Sequence, residues 1–227
     1  MKTVCMLGRN GFIGKTVLKI LEEEFLIVPE PEVCDVLVNC AGYSRMYLAK
    51  RNPNEMQSVE DMIFDRVQHI QFKRLIHLSS IHVTAYPNEP YSLIKKETER
   101  KLLSKYDDVS ILRIGSVLGE DLQKNAIYDL VHDTPLWVTS DSSYTFISKE
   151  DIGNIIAVLI ENPIEGVMDV GGIGAISISE CAKFMRKNPS YGSIQHIISM
   201  NVSKLLKLYK VKTSREYVEE YWRSTLC

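Results

Sequence analysis

A short apolar run, Thr3-Val4-Cys5-Met6-Leu7, passes directly into Gly8-Arg9-Asn10-Gly11-Phe12-Ile13-Gly14. Few folds accommodate three glycines at that spacing between an extended run and a helix. From Lys15 to Glu24 the apolar residues Val17, Leu18, Ile20 and Leu21 recur at helical spacing. The segment therefore reads as strand, tight turn, helix. Gly8 permits the turn, Gly11 allows a pyrophosphate to approach the backbone, and Gly14 lets the helix pack close to the strand. The start of the helix offers free amide donors and the positive end of its dipole to phosphate.

The alternation continues. Phe25 to Val28 reads as a strand ended by Pro29 and Pro31, and Asp35 to Asn39 follows almost at once, with Cys40-Ala41-Gly42 as its exit turn. Residues 54–70 read as a helix with Met56, Val59, Met62, Ile63 and Val67 on one side. Arg74 to Ser79 is a strand ending in two serines, Tyr91 to Tyr106 a helix, and Val109 to Arg113 another strand. Strand, helix, strand repeated in this way predicts a parallel sheet covered on both faces. Right-handed crossovers make it a doubly wound, Rossmann-type α/β fold. Such sheets bind ligands at the C-terminal ends of their strands. The glycine loop, Cys40-Ala41-Gly42, Ser79-Ser80 and Ile114-Gly115-Ser116 all fall at such ends.

Beyond residue 114 the pattern loosens. Asn154 to Ile160 is apolar and helical, Gly166 to Val170 reads as a strand, and Ser177 to Glu180 as a capped helix start. Lys204, Lys207, Lys210 and Lys212 alternate with Leu205, Leu206 and Leu208, the pattern of a solvated helix with one packed face. The expected division is an NAD(P)-binding core over residues 1–113, rejoined by a strand near 167–170, and a small C-terminal substrate lobe over 114–227.

Composition excludes several classes. In 227 residues, 45% hydrophobic and 25% charged, the balance is that of a soluble globular protein. A net charge of -2 supplies no field to draw nucleic acid or an anionic membrane. No apolar run is long enough to span a bilayer, and the N-terminus reads as a first strand, not a signal peptide. Cys5, Cys34, Cys40, Cys181 and Cys227 are odd in number and lack metal-ligand spacing. They read as free thiols, with no metal site, in a reducing cytoplasmic compartment.

The chemistry-bearing residues follow the glycine loop. Tyr91 and Lys95 are four apart on one helix face. A free phenol has a pKa of about 10 and is a poor acid or base at neutral pH. A neighbouring ammonium and a positive nicotinamide stabilise its phenolate. Ser80 is placed to hydrogen-bond a substrate oxygen and hold it beside the phenol. His82 offers a further acid/base group, although a structural or solvated histidine accounts for it more simply. For the cofactor, the second strand ends Val28-Pro29-Glu30, with Glu30 a displaced candidate for ribose hydroxyls. Arg9 inside the loop suits a 2′-phosphate, which tilts the choice between NADP and NAD toward NADP.

With these motifs in order, the chain resembles the extended short-chain dehydrogenases/reductases, the nucleotide-sugar epimerase, dehydratase and reductase group. The resemblance runs from residue 3 to about 186. It includes Val38-Asn39-Cys40-Ala41-Gly42, the strand Leu112-Arg113-Ile114-Gly115-Ser116-Val117-Leu118-Gly119, the segment Tyr144 to Ile152, and Gly166 to Gly172 followed by Ile176-Ser177-Ile178. It implies Ser80, Tyr91 and Lys95 as catalytic residues. Expected cofactor contacts are Gly8, Arg9, Asn10, Gly11, Phe12, Ile13 and Gly14, the turn Cys40, Ala41 and Gly42, and Leu78, Tyr91, Lys95 and Ile114. Expected substrate contacts are Ser80, His82, Tyr91 and Ser116. The resemblance further implies a nucleotide-sugar substrate and a homodimer seamed by the helices at 54–70 and 91–106.

Departures narrow the activity. The helix and strand that normally intervene between Val28 and Asp35 are missing. Sugar dehydratases of the family carry Asp-Glu after the catalytic hydroxyl, and GDP-fucose synthases a cysteine in place of the first; here Ile81-His82 follow Ser80. Ser116 stands where many relatives place a substrate-binding asparagine. The expected activity is NAD(P)-dependent reduction of a keto-sugar carried on a nucleotide. The alternatives are a nucleotide-sugar 4-epimerase and a non-catalytic NAD(P)-binding sensor or structural subunit.

Overall fold

The computed structural model describes residues 1–30 and 33–226. In chain order the first elements are β1 (Thr3–Leu7), α1 (Gly14–Leu21), β2 (Leu26–Val28), β3 (Cys34–Asn39), α2 (Met46–Arg51), α3 (Pro53–Gln68), β4 (Phe72–Ser80), α4 (His82–Ala85), α5 (Pro90–Lys105) and β5 (Val109–Ile114). They are followed by β6 (Ser116–Leu118), α6 (Ala126–Val131), β7 (Ser143–Tyr144), β8 (Phe146–Ser148), α7 (Lys149–Glu161), β9 (Gly166–Val170), β10 (Ile176–Ser177), α8 (Ile178–Met185) and α9 (Ser214–Ser224).

The principal sheet has six strands in the order β2-β1-β3-β4-β5-β9, and β1, β3 and β4 pair with their neighbours in parallel. This is the Rossmann-type fold the alternation predicts. The order of strand addition reverses at β1, with β2 on one side of it and β3 on the other. That places a topological switch point at the C-terminal ends of β1 and β3. β2 closes its edge of the sheet among the described residues, and the outermost strand usual in this fold is lacking there.

The strands bury Cys5, Leu7, Leu37, Leu75 and Ile111 in one cluster with Val67 from α3, Ile70 just after it and Leu102 from α5. Burial at this scale is the main force holding sheet to helix. α3 opens at Asn52, whose side chain accepts from the Glu55 amide, with Pro53 at the first helical position, where its missing N–H costs nothing. Its buried stripe is Met56, Glu60, Ile63 and Val67. This corrects the sequence-based face: Val59 is half-buried, and Met62 is 55% exposed because at 3.6 residues per turn it falls off the stripe. The acidic Glu60 takes the fourth inward position instead.

The described residues form two compact units. One comprises residues 1–114 and 152–168, so most of α7 belongs with the sheet. Within it, Gly153 on α7 faces Ile20 at the end of α1. The other comprises residues 115–151 and 169–227, of which Cys227 lies outside the described part. This second unit pairs β6 with β8 and β7 with β10. Its helices α8 and α9 each open with a capping box, at Ser177/Glu180 and Thr213/Glu216. The lysine-leucine stretch expected to be a helix is a single 3-10 turn over Leu205–Lys207 with Leu205 buried. No helix among the described residues is long and apolar enough to cross a membrane. Cys5, Cys34 and Cys181 are buried free thiols, Cys40 is half-buried and free, and Cys227 lies outside the described residues.

Candidate active site

The site is built at the switch point. Leu7 and Asn39 are register partners at the ends of β1 and β3, and the Cys40 amide donates to the Leu7 carbonyl at 3.0 Å. The two exit turns therefore lie side by side. Gly8 has φ +74°, in the left-handed region, and a Cβ there would lie 2.4 Å from the Ala41 nitrogen. Only glycine satisfies both demands. A Cβ on Gly14 would strike the Gly8 carbonyl oxygen at 2.0 Å, so α1 starts tight against the loop. Gly11 differs. Its amide donates to the Gly8 carbonyl at 3.0 Å, and an added Cβ would meet only that oxygen, at 3.3 Å. Arg9, Asn10 and Gly11 are exposed, and Phe12 and Ile13 half-buried. The loop presents open backbone where a pyrophosphate would sit.

The other half of the site stands on β4 and α5. Ser80 is the last residue of β4 and is paired with Ile114 of β5; Leu78, one turn of the pleat earlier, is buried beside Leu112. Ser80 Oγ accepts from the His82 amide at 3.3 Å as the chain enters α4. The His82 carbonyl accepts from Ser92 Oγ at 2.8 Å, and its ring meets the Tyr91 ring edge-on at 6.0 Å. These contacts bring the Ser80 corner against the first turn of α5. Tyr91 follows Pro90, the first residue of α5, and is buried with Ala49 and Met56. Lys95, one turn later, is 3% exposed.

Lys95 Nζ donates to Glu60 Oε1 at 2.6 Å, its one hydrogen bond among the described residues. An ammonium has three donors, so two remain for a ligand. The same Glu60 oxygen accepts from the Tyr43 amide at 2.8 Å. Burial pushes Lys95 toward the neutral amine, but the charge and hydrogen bond of Glu60 outweigh it and hold the ammonium above its ordinary range. Burial likewise pushes Glu60 up, and the Lys95 charge outweighs it, so the carboxylate stays below its usual range. A Cβ on Gly42 would lie 2.7 Å from Lys95 Nζ. Thus one three-residue turn, Cys40-Ala41-Gly42, touches the glycine loop on one side and the lysine on the other.

A second buried network braces the serines. Ser79 Oγ donates to Glu99 Oε1 at 2.5 Å, and Arg113 Nη2 donates to Glu99 Oε2 at 2.6 Å. Arg113 also reaches Thr84 Oγ1 at 2.9 Å. This ties the end of β4 to α5, β5 and α4. Ser116 lies in the second unit, in β6, where its amide donates to the Thr145 carbonyl at 2.9 Å.

Sequence reasoning missed Glu60 and Glu99. Glu60 had a readable signal, a charged residue at an inward position of an apolar helix stripe. Glu99 lies a further turn along α5 from Lys95 and reads as an ordinary surface acid until Arg113 and Ser79 close on it. The fit to a nicotinamide dinucleotide rests on two observations: the open backbone at Gly11 and the two uncommitted donors of Lys95.

No protein-family model and no curated protein matches the chain. Solved structures match over nearly its whole length. UDP-N-acetylglucosamine 4-epimerase from Methanobrevibacter ruminantium, in complex with UDP-N-acetylmuramic acid, is 16% identical with a TM-score of 0.75, covering 99% of this chain and 98% of its own. UDP-glucuronic acid 4-epimerase from Bacillus cereus, in complex with UDP-glucuronic acid and NAD, is 16% identical with a TM-score of 0.78 and covers 98% of both chains. dTDP-4-dehydrorhamnose reductase from Bacillus anthracis, in complex with NADP, is 15% identical with a TM-score of 0.78 and also covers 98% of both. The chain shares the Rossmann-type fold of these solved structures.

Proposed function

We propose that this protein is an NAD(P)-dependent oxidoreductase that reduces a keto group on a nucleotide-linked sugar. The observation that carries this reading is the Cys40-Ala41-Gly42 turn, which packs Gly8 against Ala41 and Lys95 against Gly42. Phosphate grip and proton-handling residues share one turn of one unit. The neighbours reported above act on nucleotide sugars and were solved with nucleotide sugars, NAD or NADP.

When bound, the nicotinamide supplies a hydride to the carbonyl carbon. Ser80 Oγ hydrogen-bonds the carbonyl oxygen and aligns it with Tyr91. Tyr91 gives its phenolic proton to that oxygen as negative charge develops, the contribution of a positioned general acid. Lys95 directs its two remaining N–H groups to ribose hydroxyls and its charge to the phenolate left on Tyr91. The first unit, which carries the glycine loop, Ser80, Tyr91 and Lys95, then holds the cofactor. Ile81, which stands where dehydratases carry an acid, is 2% exposed and apolar, which favours reduction over dehydration.

NADP is the favoured cofactor. Arg9 is exposed and unpaired among the described residues. Glu30, the acid that would repel a 2′-phosphate, is engaged by Arg66 Nη2 at 2.6 and 2.9 Å. A second reading, 4-epimerisation with the same residues, draws support from the two epimerases among the neighbours.

The test is turnover of NADPH with a panel of nucleotide-linked keto-sugars. Tyr91→Phe should retain fold and cofactor binding and lose at least about a hundredfold in rate. A variant as fast as the wild type removes Tyr91 from the mechanism, and substrate interconversion without net cofactor consumption establishes the epimerase instead.

A further inference from the structure

We propose that Glu60 is the positioning residue of this site, the buried anion that fixes the Lys95 ammonium beneath the turn at Gly42. The Glu60 side chain is fully buried, and three donors converge on it from three directions. Lys95 Nζ comes from α5, the Tyr43 amide from the loop after β3, and Thr98 Oγ1, at 3.4 Å from Oε2, from the next turn of α5. Above, Gly42 leaves room for nothing larger than hydrogen over Nζ. The lysine is thus held between a carboxylate on one side and a bare backbone turn on the other.

Every charged or titratable group facing Lys95 leaves this role to Glu60. His77, on β4, is buried and held neutral, its pKa lowered to about 4 by burial first and by the Lys95 charge second. Glu99, on α5, is taken up by Arg113 and Ser79. Tyr91, one turn back on α5, and Tyr43, in the loop, carry phenols. Among the described residues, Glu60 is the one carboxylate bonded to Lys95. A buried lysine without a bonded anion loses its proton far below the normal range, and a neutral amine can neither clamp ribose hydroxyls with full strength nor stabilise a phenolate. The requirement is therefore for charge at position 60, and not only for an acceptor of the right shape.

Glu60→Gln separates the two, since the amide oxygen still accepts from Tyr43 and Lys95 but carries no charge. One measurement uses the protein without cofactor: the nitrogen-15 side-chain ammonium signal of Lys95, assigned by its loss in Lys95→Met. In the wild type it should persist to about pH 9, and in Glu60→Gln it should vanish at least about one pH unit lower. The other is NADPH titration by fluorescence, where the proposal rests on the functional reading above. Wild-type affinity should change little between about pH 6.5 and 9, whereas Glu60→Gln should lose about tenfold over that range and recover on acidification. A purely structural role would weaken binding equally at all pH values. Glu60→Gln with a wild-type ammonium signal and a flat pH profile overturns the proposal. If wild type binds no NAD(P)H, the functional reading falls while the ammonium signal still decides the role of Glu60. If Glu60→Gln does not fold, the wild-type spectrum decides alone: absence of a Lys95 ammonium signal at about pH 9 overturns it.

Discussion

Asn39 Nδ2 lies 2.9 Å from His77 Nδ1, with both side chains fully buried. The Asn39 amide orientation is set from its other end, where Oδ1 accepts from the Ala41 amide at 3.0 Å. Nδ2 must then donate to His77, so Nδ1 is the acceptor and the imidazole proton sits on Nε2. That Nε2 has no hydrogen-bond partner among the described residues. The pair joins β3 to β4 directly beneath the turn that carries Ala41 and Gly42.

His77 makes stability depend on pH. Burial, with the nearby Lys95 charge, lowers its pKa from an ordinary 6.5 to about 4. The unfolded chain binds the proton first, so the contribution is fully present above about pH 6.5 and is lost as pH falls toward 4. Over that window this one group accounts for about 3 kcal/mol, and between pH 7.5 and 5 for about 2 kcal/mol. His77→Gln, which keeps an acceptor for Asn39, should flatten the difference between urea unfolding free energies at those two pH values. An unchanged difference would show that His77 is not the group being protonated.

The Glu60–Lys95 pair should be costly to halve and cheap to neutralise. Lys95→Met leaves a buried carboxylate without its cation and should cost about 3–5 kcal/mol. Adding Glu60→Gln removes the stranded charge while keeping an acceptor for the Tyr43 amide. The double variant should regain at least half of the loss, measured by chemical denaturation at pH 7.5. Additive losses in the two single variants would contradict a direct charge pairing.

Gly11 should matter to ligand and not to fold. An added Cβ meets only the Gly8 carbonyl oxygen, at 3.3 Å, so Gly11→Ala needs a few tenths of an ångström of adjustment. Its methyl and, more severely, the branched side chain of Gly11→Val would occupy the space a pyrophosphate needs. Circular dichroism should be unchanged while NADPH binding is lost in Gly11→Val. Full affinity in that variant would remove the loop from the cofactor site.

Arg9 should read the 2′-phosphate. Arg9→Ala is expected to weaken NADPH about tenfold, roughly 1.4 kcal/mol, with NADH little changed. Equal losses for both cofactors, or a wild type that prefers NADH, would assign Arg9 to the surface. Glu30→Gln should change this ratio little, because Arg66 already engages that carboxylate.

The parallel sheet, the glycine loop and the helical spacing of Tyr91 and Lys95 were legible in the sequence because they depend on local periodicity. Strand and helix periods repeat within a few residues, and a tight turn declares itself by its glycines. The missing segment between Val28 and Asp35 was equally legible, as a simple matter of chain length. What the chain alone could not disclose were pairings between residues far apart in sequence. Glu60 and Lys95 lie on different helices, Ser79, Glu99 and Arg113 on three elements, and Asn39 and His77 on adjacent strands. The apolar face of α3 differs from the expectation for a local reason: Met62 is as hydrophobic as Met56, but at 3.6 residues per turn it falls off the stripe of Met56, Glu60, Ile63 and Val67. The sequence determined which groups were available and on which elements they stood. Tertiary structure decided their charge states, because burial and the approach of a partner from elsewhere in the chain set whether a lysine, a glutamate or a histidine holds its proton.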